Sequence, residues 1–411
     1  MLGSLDSSQS QVHVIGAGIA GLLMAYRLDQ QGYEVFLYES QEAPGGLIRT
    51  ERTSWGMAEW ALHSCLGSAS VVQLWDELNL DWLPAANTQK YLLREGKLRK
   101  FPLNFRETMV TCARACWVKR KNTDFHVKDW AETYLGKAAY RYLVAPMVQG
   151  IYGVTAEEIA QKAAFPQWTV LPGKTLLTTW LQRRMPRSHA SILAPVQGMQ
   201  ALVEALALRL KERLKKRYLM QHKITSLEAF RGNIVVATQA QAACLLLVKE
   251  PKLAQSLARI KYAPLMSITV FVKKKASFPS GIGVLIPEGE KLQALGIFFN
   301  TSAFSGRVSD PSLSSFTLFL GGSRNPKLLE APDSVLKALV EKDLSFLLGP
   351  IEIMHLVICR QFQAIPYYND DLLDLWKVAE EGWCLKPGHL LFGNYTGQVS
   401  LRGMIESVSR I

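Results

Sequence analysis

Residues 12–21 run Val-His-Val-Ile and then Gly-Ala-Gly-Ile-Ala-Gly, and no other feature of the chain restricts its fold so strongly. An apolar strand passing straight into G-x-G-x-x-G predicts a strand, a tight turn and a helix opening within the motif. Leu22, Leu23, Ala25, Tyr26 and Leu28 give that helix its apolar face, Gly32 ends it, and residues 34–38 form a second buried strand leading to the acid Glu39. Each glycine has a separate task. Gly16 permits the turn, Gly18 lets the backbone approach a pyrophosphate, and Gly21 lets the helix pack closely on the strand. The free N–H groups of the turn through Gly18, Ile19, Ala20 and Gly21, at the positive end of the helix dipole, suit a diphosphate. Glu39 stands 18 residues after Gly21, where a carboxylate accepts hydrogen bonds from both ribose hydroxyls and disfavours the 2′-phosphate of NADP. A second glycine pair, Gly45-Gly46, followed by Arg49, lets the chain pass close to a flavin diphosphate and favours FAD over NAD. Nothing after residue 50 suggests a separate nicotinamide site.

A chain of 411 residues suggests two or three domains and buries a large core easily. Lys, Arg, Asp or Pro interrupts every apolar run before the ~20 residues a spanning helix needs. No Lys or Arg precedes Arg27, which argues against a secretory signal or transit peptide and makes the cytoplasm the expected compartment. Six scattered cysteines do not make a disulfide framework. Cys112 and Cys116 lie one helical turn apart with no further ligand, and are expected to be packing residues. The net charge of +12 is clustered at residues 94–100, at Lys119-Arg120-Lys121, at Arg183-Arg184 with Arg187, and at residues 209–217. No nucleic-acid recognition motif accompanies that charge. An anionic membrane surface or a carboxylate-bearing substrate fits better, although residues 209–217 also read as a solvated helix face.

Residues 66–85 read as helical up to Pro84, with further helices expected over residues 127–135, 137–144 and 197–217. Strand-like runs follow at residues 234–237, 267–273, 282–286, 295–300, 315–320 and 354–359. Helix-rich and strand-rich blocks within a dinucleotide fold imply insertion of one unit into another. The expected architecture is α/β: a Rossmann-type FAD-binding domain built from residues 1–85, 190–260 and 365–411. Into it are inserted a helix-rich subdomain over 86–189, facing substrate or membrane, and a β-rich substrate domain over 261–364.

Several segments then resemble, in order, the protoporphyrinogen oxidases of the monoamine-oxidase and phytoene-desaturase flavoprotein superfamily. Gly150-Ile151-Tyr152-Gly153-Val154 with Glu157-Glu158-Ile159 is similar to the family's "G-I/V-Y-A-G-D…L-S" segment, and Gln197-Gly198-Met199-Gln200-Ala201-Leu202 to its "G-G-M-q-x-L" helix start. Ile260 to Ser267 resembles the "I-x-Y-x-S-v-a" strand entry, Gly281 to Pro287 the "G-F-G-x-L-v-P" hairpin, and Ala364-Ile365-Pro366-Tyr367-Tyr368 the "A-I/L-P-Q-Y" segment. Leu391 to Ser400, including Gly393 and Val399, resembles "l-x-G-n-x-y-x-G-V-x" before a helix that points at the flavin in this superfamily. The resemblance covers nearly the whole chain. It implies one non-covalent FAD, with Gly393 and the Val399 region completing the site and Ile224, in the stretch 223–227, adding a backbone contact to the adenine. It further implies oxidation of protoporphyrinogen IX to protoporphyrin IX, with molecular oxygen as acceptor and hydrogen peroxide as product.

Two departures stand out. The family usually continues after the glycine pair into "E-x-G-P", whereas Glu59 here precedes Trp60-Ala61-Leu62, and Ala237-Thr238 stands where many relatives have Ala-x-Pro. Amine, carotenoid or coproporphyrinogen III oxidation on the same fold, or an FAD-binding scaffold role in tetrapyrrole handling, therefore remain alternatives. The flavin supplies the redox chemistry. No Ser-His-Asp set, metal spacing or paired-acid motif accompanies it, no catalytic side chain is singled out, and His63, His189 and His389 read as surface or satisfied residues. A flat apolar substrate with two propionates needs an apolar slot and a cation at its mouth, for which Arg99 beside Phe101-Pro102 is the candidate. Trp117, Phe125, Trp130 and Tyr134 together with the basic clusters suit peripheral membrane attachment.

Overall fold

The structure is a computed structural model that describes residues 1–121, 125–183 and 191–411. The N-terminal pattern folds as its periodicity requires. Strand β1 (Gln11–Ile15), helix α1 (Ile19–Gln30) and strand β2 (Glu34–Tyr38) form a parallel βαβ unit in which Val14 lies opposite Leu37. Tyr218–Leu219, Asn233–Val236 and His389–Leu391 extend it to a five-stranded parallel sheet ordered 218–219, β2, β1, 233–236, 389–391. Such a sheet is covered on both faces, which is why its strands are almost uninterruptedly apolar. One face carries α1, the helix Gln200–Leu214 and the helix Leu401–Val408, packed through Leu22, Leu23, Leu202, Leu206, Leu210 and Ile405.

A second, seven-stranded sheet runs in the order 353–366, 262–273, 313–321, 296–298, 283–285, 90–94, 97–99. Its neighbours are antiparallel except for Gly283–Leu285 against Lys90–Arg94. The helix Asp333–Leu348 joins the core of this sheet through Leu336, Val340 and Leu344. The hairpin 90–99 was expected with the helix-rich block, but its backbone pairs with Gly283–Leu285 and belongs to this sheet.

Two helical expectations are corrected. The helix expected over 66–85 is confined to Ala69–Glu77; Asn79 turns left-handed at φ 53°, and Trp82–Pro84 becomes a strand paired with Ile192–Pro195. The helix expected over 137–144 is a short α segment, Lys137–Ala139, followed by a π turn at Tyr140–Val144 and a further helix, Ala145–Tyr152. Pro146 at the start of that helix has no N–H for the i→i−4 ladder, and the preceding turn widens.

Candidate functional site

Because all five strands of the first sheet are parallel, the segments leaving their carboxyl ends gather at one edge, where open α/β sheets bind ligands. Gly16 follows β1, Glu39 follows β2, Ala237 follows the strand 233–236, and Phe392-Gly393 follows 389–391. Gly16 adopts φ +102° and its N–H bonds the Tyr38 carbonyl at 2.8 Å, which closes the turn. A Cβ on Gly21 would lie 1.8 Å from the Gly16 carbonyl oxygen, so helix and turn approach as closely as backbone allows. Above Gly18 there is open space: a Cβ there would meet nothing within 4 Å. Gly18 caps α1 with no side-chain hydrogen bond, and the helix, opening on Ile19 and Ala20, has no acid in its first turn. The helix therefore keeps its terminal N–H groups for an anion.

The second glycine pair lies beside the first. Gly45 N–H bonds the Ala17 carbonyl at 2.7 Å, Gly18 and Gly45 form a parallel backbone bridge, and a Cβ on Gly46 would stand 3.5 Å from Gly18 Cα. Glu39 is held ready. Its Oε2 accepts the Ala17 N–H at 2.8 Å, and its Oε1 accepts the Gln41 N–H at 2.9 Å and the Ser40 hydroxyl at 3.1 Å. The Glu39 carbonyl accepts the His222 N–H at 2.7 Å, and half-buried Ile224 follows in irregular chain. Gly393 is buried and Val399 half-buried, and Val399 leads to Ser400, whose hydroxyl caps the helix Leu401–Val408 beside α1. Gly16, Gly18, Glu39, Gly45 and Gly46 thus form one cradle, and a dinucleotide diphosphate fits it. Arg49 stays exposed, its guanidinium 5.2 Å from the centre of the Trp60 ring.

At the start of the helix Gln200–Leu214 lies a buried ion pair that residue patterns did not reveal. Glu59 and Arg307 are 6 % and 4 % exposed, with Arg307 Nη1 3.3 Å from Glu59 Oε1. The carboxylate also accepts the Thr50 hydroxyl at 2.7 Å and the Met199 N–H at 2.9 Å, while Arg307 Nη2 donates to the Pro195 carbonyl at 3.3 Å. Burial pushes the Glu59 carboxyl up and the Arg307 guanidinium down, each partly opposed by its partner. Glu59 was visible in sequence only as a family position. Arg307 carried no signal, because nothing near it in the chain marks it as buried.

His63 is neither surface nor satisfied. It is 7 % exposed, packed against Phe298 and Phe319 with centroids at 5.5 and 5.0 Å, and its Nε2 has no hydrogen-bond partner. Burial, with the Arg307 charge adding, pushes its pKa down to about 3. His389 stacks on Trp383 with an unpartnered Nδ1 and is also lowered by burial. His189, Arg184 and Arg187 lie outside the described residues.

Arg99 is exposed on the outermost strand of the seven-stranded sheet. Arg94 instead makes the bidentate pair, 2.8 and 3.0 Å, to Glu107. Of the four aromatics expected at the surface, Trp117 is 79 % exposed and Phe125 half-buried, whereas Trp130 and Tyr134 are buried. The stacking of Trp130 on Trp168, with centroids at 4.8 Å, explains the first of these. Cys112 and Cys116, expected to pack inside, are exposed on the helix Phe105–Trp117. Among the described residues no group of His, Cys, Asp and Glu could hold a metal ion, and no helix is long and apolar enough to cross a membrane.

The profile of flavin-containing amine oxidoreductases matches residues 19–408. Mitochondrial protoporphyrinogen oxidase of Nicotiana tabacum is 27 % identical, over 98 % of this chain and 94 % of its own length. Coproporphyrinogen III oxidase of Mycobacterium leprae is 23 % identical, over 97 % and 96 %. Among solved structures, one from Exiguobacterium superposes with a TM-score of 0.76 at 18 % identity, covering 99 % of this chain and all of that one. Reduced UDP-galactopyranose mutase superposes at 0.71 with 14 % identity, covering 98 % and 93 %. These last two likenesses are of fold.

Proposed function

The chain belongs to the flavin-containing amine oxidoreductases, and from that premise we propose that it binds one FAD and oxidises protoporphyrinogen IX to protoporphyrin IX. The observation that carries the cofactor reading is the double-glycine cradle: open space over Gly18, an uncapped helix start, and Glu39 fixed by the Ala17 N–H. The substrate reading is supported by the near full-length likeness to a plant protoporphyrinogen oxidase. Bound FAD would supply two-electron oxidation of carbon centres, three rounds removing six electrons and six hydrogens and passing them to three molecules of oxygen to give three of hydrogen peroxide.

The residues of the chain bind and orient. The α1 N-terminus with Gly18 and Gly46 holds the diphosphate, and Glu39 holds the adenosine ribose, with Ile224 passing beside the adenine. Arg49, Gly393 and Val399 complete the cradle. The Glu59–Arg307 pair ties residues 50–59 to the start of the helix Gln200–Leu214 and so keeps the second glycine turn in register with the first. Arg99, exposed beside Phe101, offers a propionate partner at the surface. Exposed Trp117 with Lys119 and Lys121 gives the helix-rich region a peripheral membrane contact.

The test is porphyrin fluorescence from protoporphyrinogen IX and coproporphyrinogen III with the purified yellow protein. Protoporphyrin IX with three equivalents of peroxide is expected. Turnover of coproporphyrinogen III alone would move the function to the second relative's reaction, and flavin-loaded protein inert to both would leave a binding role.

A further inference from the structure

The helix-rich region holds an apolar cavity of about 450 Å³, walled by Trp130, Leu143, Met147, Trp168, Leu177 and Trp180. Its size is that of a small-ligand site. None of the residues assigned to the flavin cradle lines it. Two walls come from helices with apolar side chains left in solvent. Phe105–Trp117 buries none of its residues and exposes Met109 and Val110 at 55 % each. Leu176–Arg183 exposes Trp180 at 45 % and Leu181 at 58 %. The two helices pack together, and the strap following the first is tied to the start of the second by the Lys119–Thr175 bridge and the Arg120 N–H to the Lys174 carbonyl at 2.9 Å. Of these helices Ala115, Leu176, Leu177 and Trp180 line the cavity, and exposed apolar side chains on both helices beside an apolar cavity mark a surface that something covers.

Charge says what covers it. Lys119, Arg120 and Lys121 lie along the strap, Lys174 lies in the segment it is tied to, and Arg183, which ends the second helix, lines the cavity. The second helix carries no acid, and the one acid of the first, Glu107, is occupied by Arg94. Arg183 donates one guanidinium N–H to the Gln167 carbonyl and has no carboxylate partner among the described residues.

We propose that this cavity takes one acyl chain of an anionic membrane lipid, with the headgroup held by Arg183 and the neighbouring lysines. The inference rests on the peripheral membrane contact proposed above, and goes beyond it in placing a single chain inside the protein. A chain drawn into a protein cavity fixes orientation, which surface attraction alone does not do.

The flavin-loaded full chain is titrated with dodecanoate below its micelle concentration by calorimetry. One saturable site is expected. Ala115→Phe, which fills the cavity from the first helix, should weaken it at least tenfold. Leu143→Trp, from the more exposed π turn, does the same should the first variant fold poorly. Arg183→Gln should weaken it about tenfold and flatten its salt dependence. In parallel, the proteins are sedimented with vesicles of phosphatidylcholine and phosphatidylglycerol carrying brominated acyl chains, and tryptophan quenching is read. Wild type should be quenched more than Ala115→Phe at equal vesicle binding. Vesicle binding without a dodecanoate site, or a site indifferent to both blocking variants, overturns the cavity while leaving membrane contact intact. Dodecanoate binding without vesicle binding overturns the lipid source. A self-association that the blocking variants abolish would make the face an interface between two copies, and overturns the proposal.

Discussion

Replacing Arg307 by Met tests the buried joint at the start of the helix Gln200–Leu214. The change leaves a carboxylate that is 6 % exposed without its counter-charge and frees the Pro195 carbonyl from its 3.3 Å partner. Removing one member of a buried pair costs about 3–5 kcal/mol, since the remaining charge stays out of water. The Thr50 hydroxyl and Met199 N–H still reach the carboxylate, which holds the charge term near the lower end, and the Pro195 carbonyl keeps the Gly198 N–H at 3.1 Å, so the loss of its second donor adds little. The expected loss is about 3 kcal/mol at pH 8, read from urea unfolding with saturating FAD. The loss shrinks as pH falls. Glu59 already has a raised folded pKa through burial, and losing Arg307 raises it further. An acid with a raised pKa contributes stability below the unfolded carboxyl value, and that contribution is lost as pH rises through the folded value. The penalty at pH 5 is therefore smaller than at pH 8. Glu59→Gln with Arg307→Met should recover about 2 kcal/mol of the loss, because no charge is then stranded. A loss below about 1 kcal/mol by the same urea measurement, equal losses at both pH values, or strict additivity would refute a buried, mutually dependent pair.

Gly18→Val should leave the fold intact, since φ −65° suits any L residue and the space is open, yet abolish the yellow chromophore. An unchanged visible spectrum would remove the cradle from the cofactor site. Gly21→Ala should instead destabilise the apoprotein by about 3 kcal/mol or more in urea, because its Cβ would stand 1.8 Å from a backbone oxygen. Neutral His63, with a pKa of about 3, contributes stability above the unfolded histidine value that is lost as pH falls through that value toward 3. Its imidazole resonances should show no titration between pH 8 and 5, and a midpoint near 6 would mean that the ring reaches water.

The N-terminal βαβ unit and its glycine cradle were legible because their causes are local. The strand period of β1, the apolar run of α1 and the backbone freedom at Gly16 depend on residues within one turn of each other, and Glu39 follows β2 directly. Strands such as 267–273 within Tyr262–Lys273 were visible for the same reason. Burial is a different kind of property, set by what arrives from elsewhere. Glu59 and Arg307 meet across 248 positions, and neither side chain carries a local mark of the other. Trp130 and Tyr134 looked like surface aromatics until Trp168 and Phe125 packed on them. The hairpin 90–99 joined the seven-stranded sheet only because Gly283–Leu285 offered it an edge. Sequence alone determined which segments turn, coil or extend around the glycine cradle. Tertiary packing decided which charges and rings leave water, since desolvation depends on distant neighbours that no local period encodes.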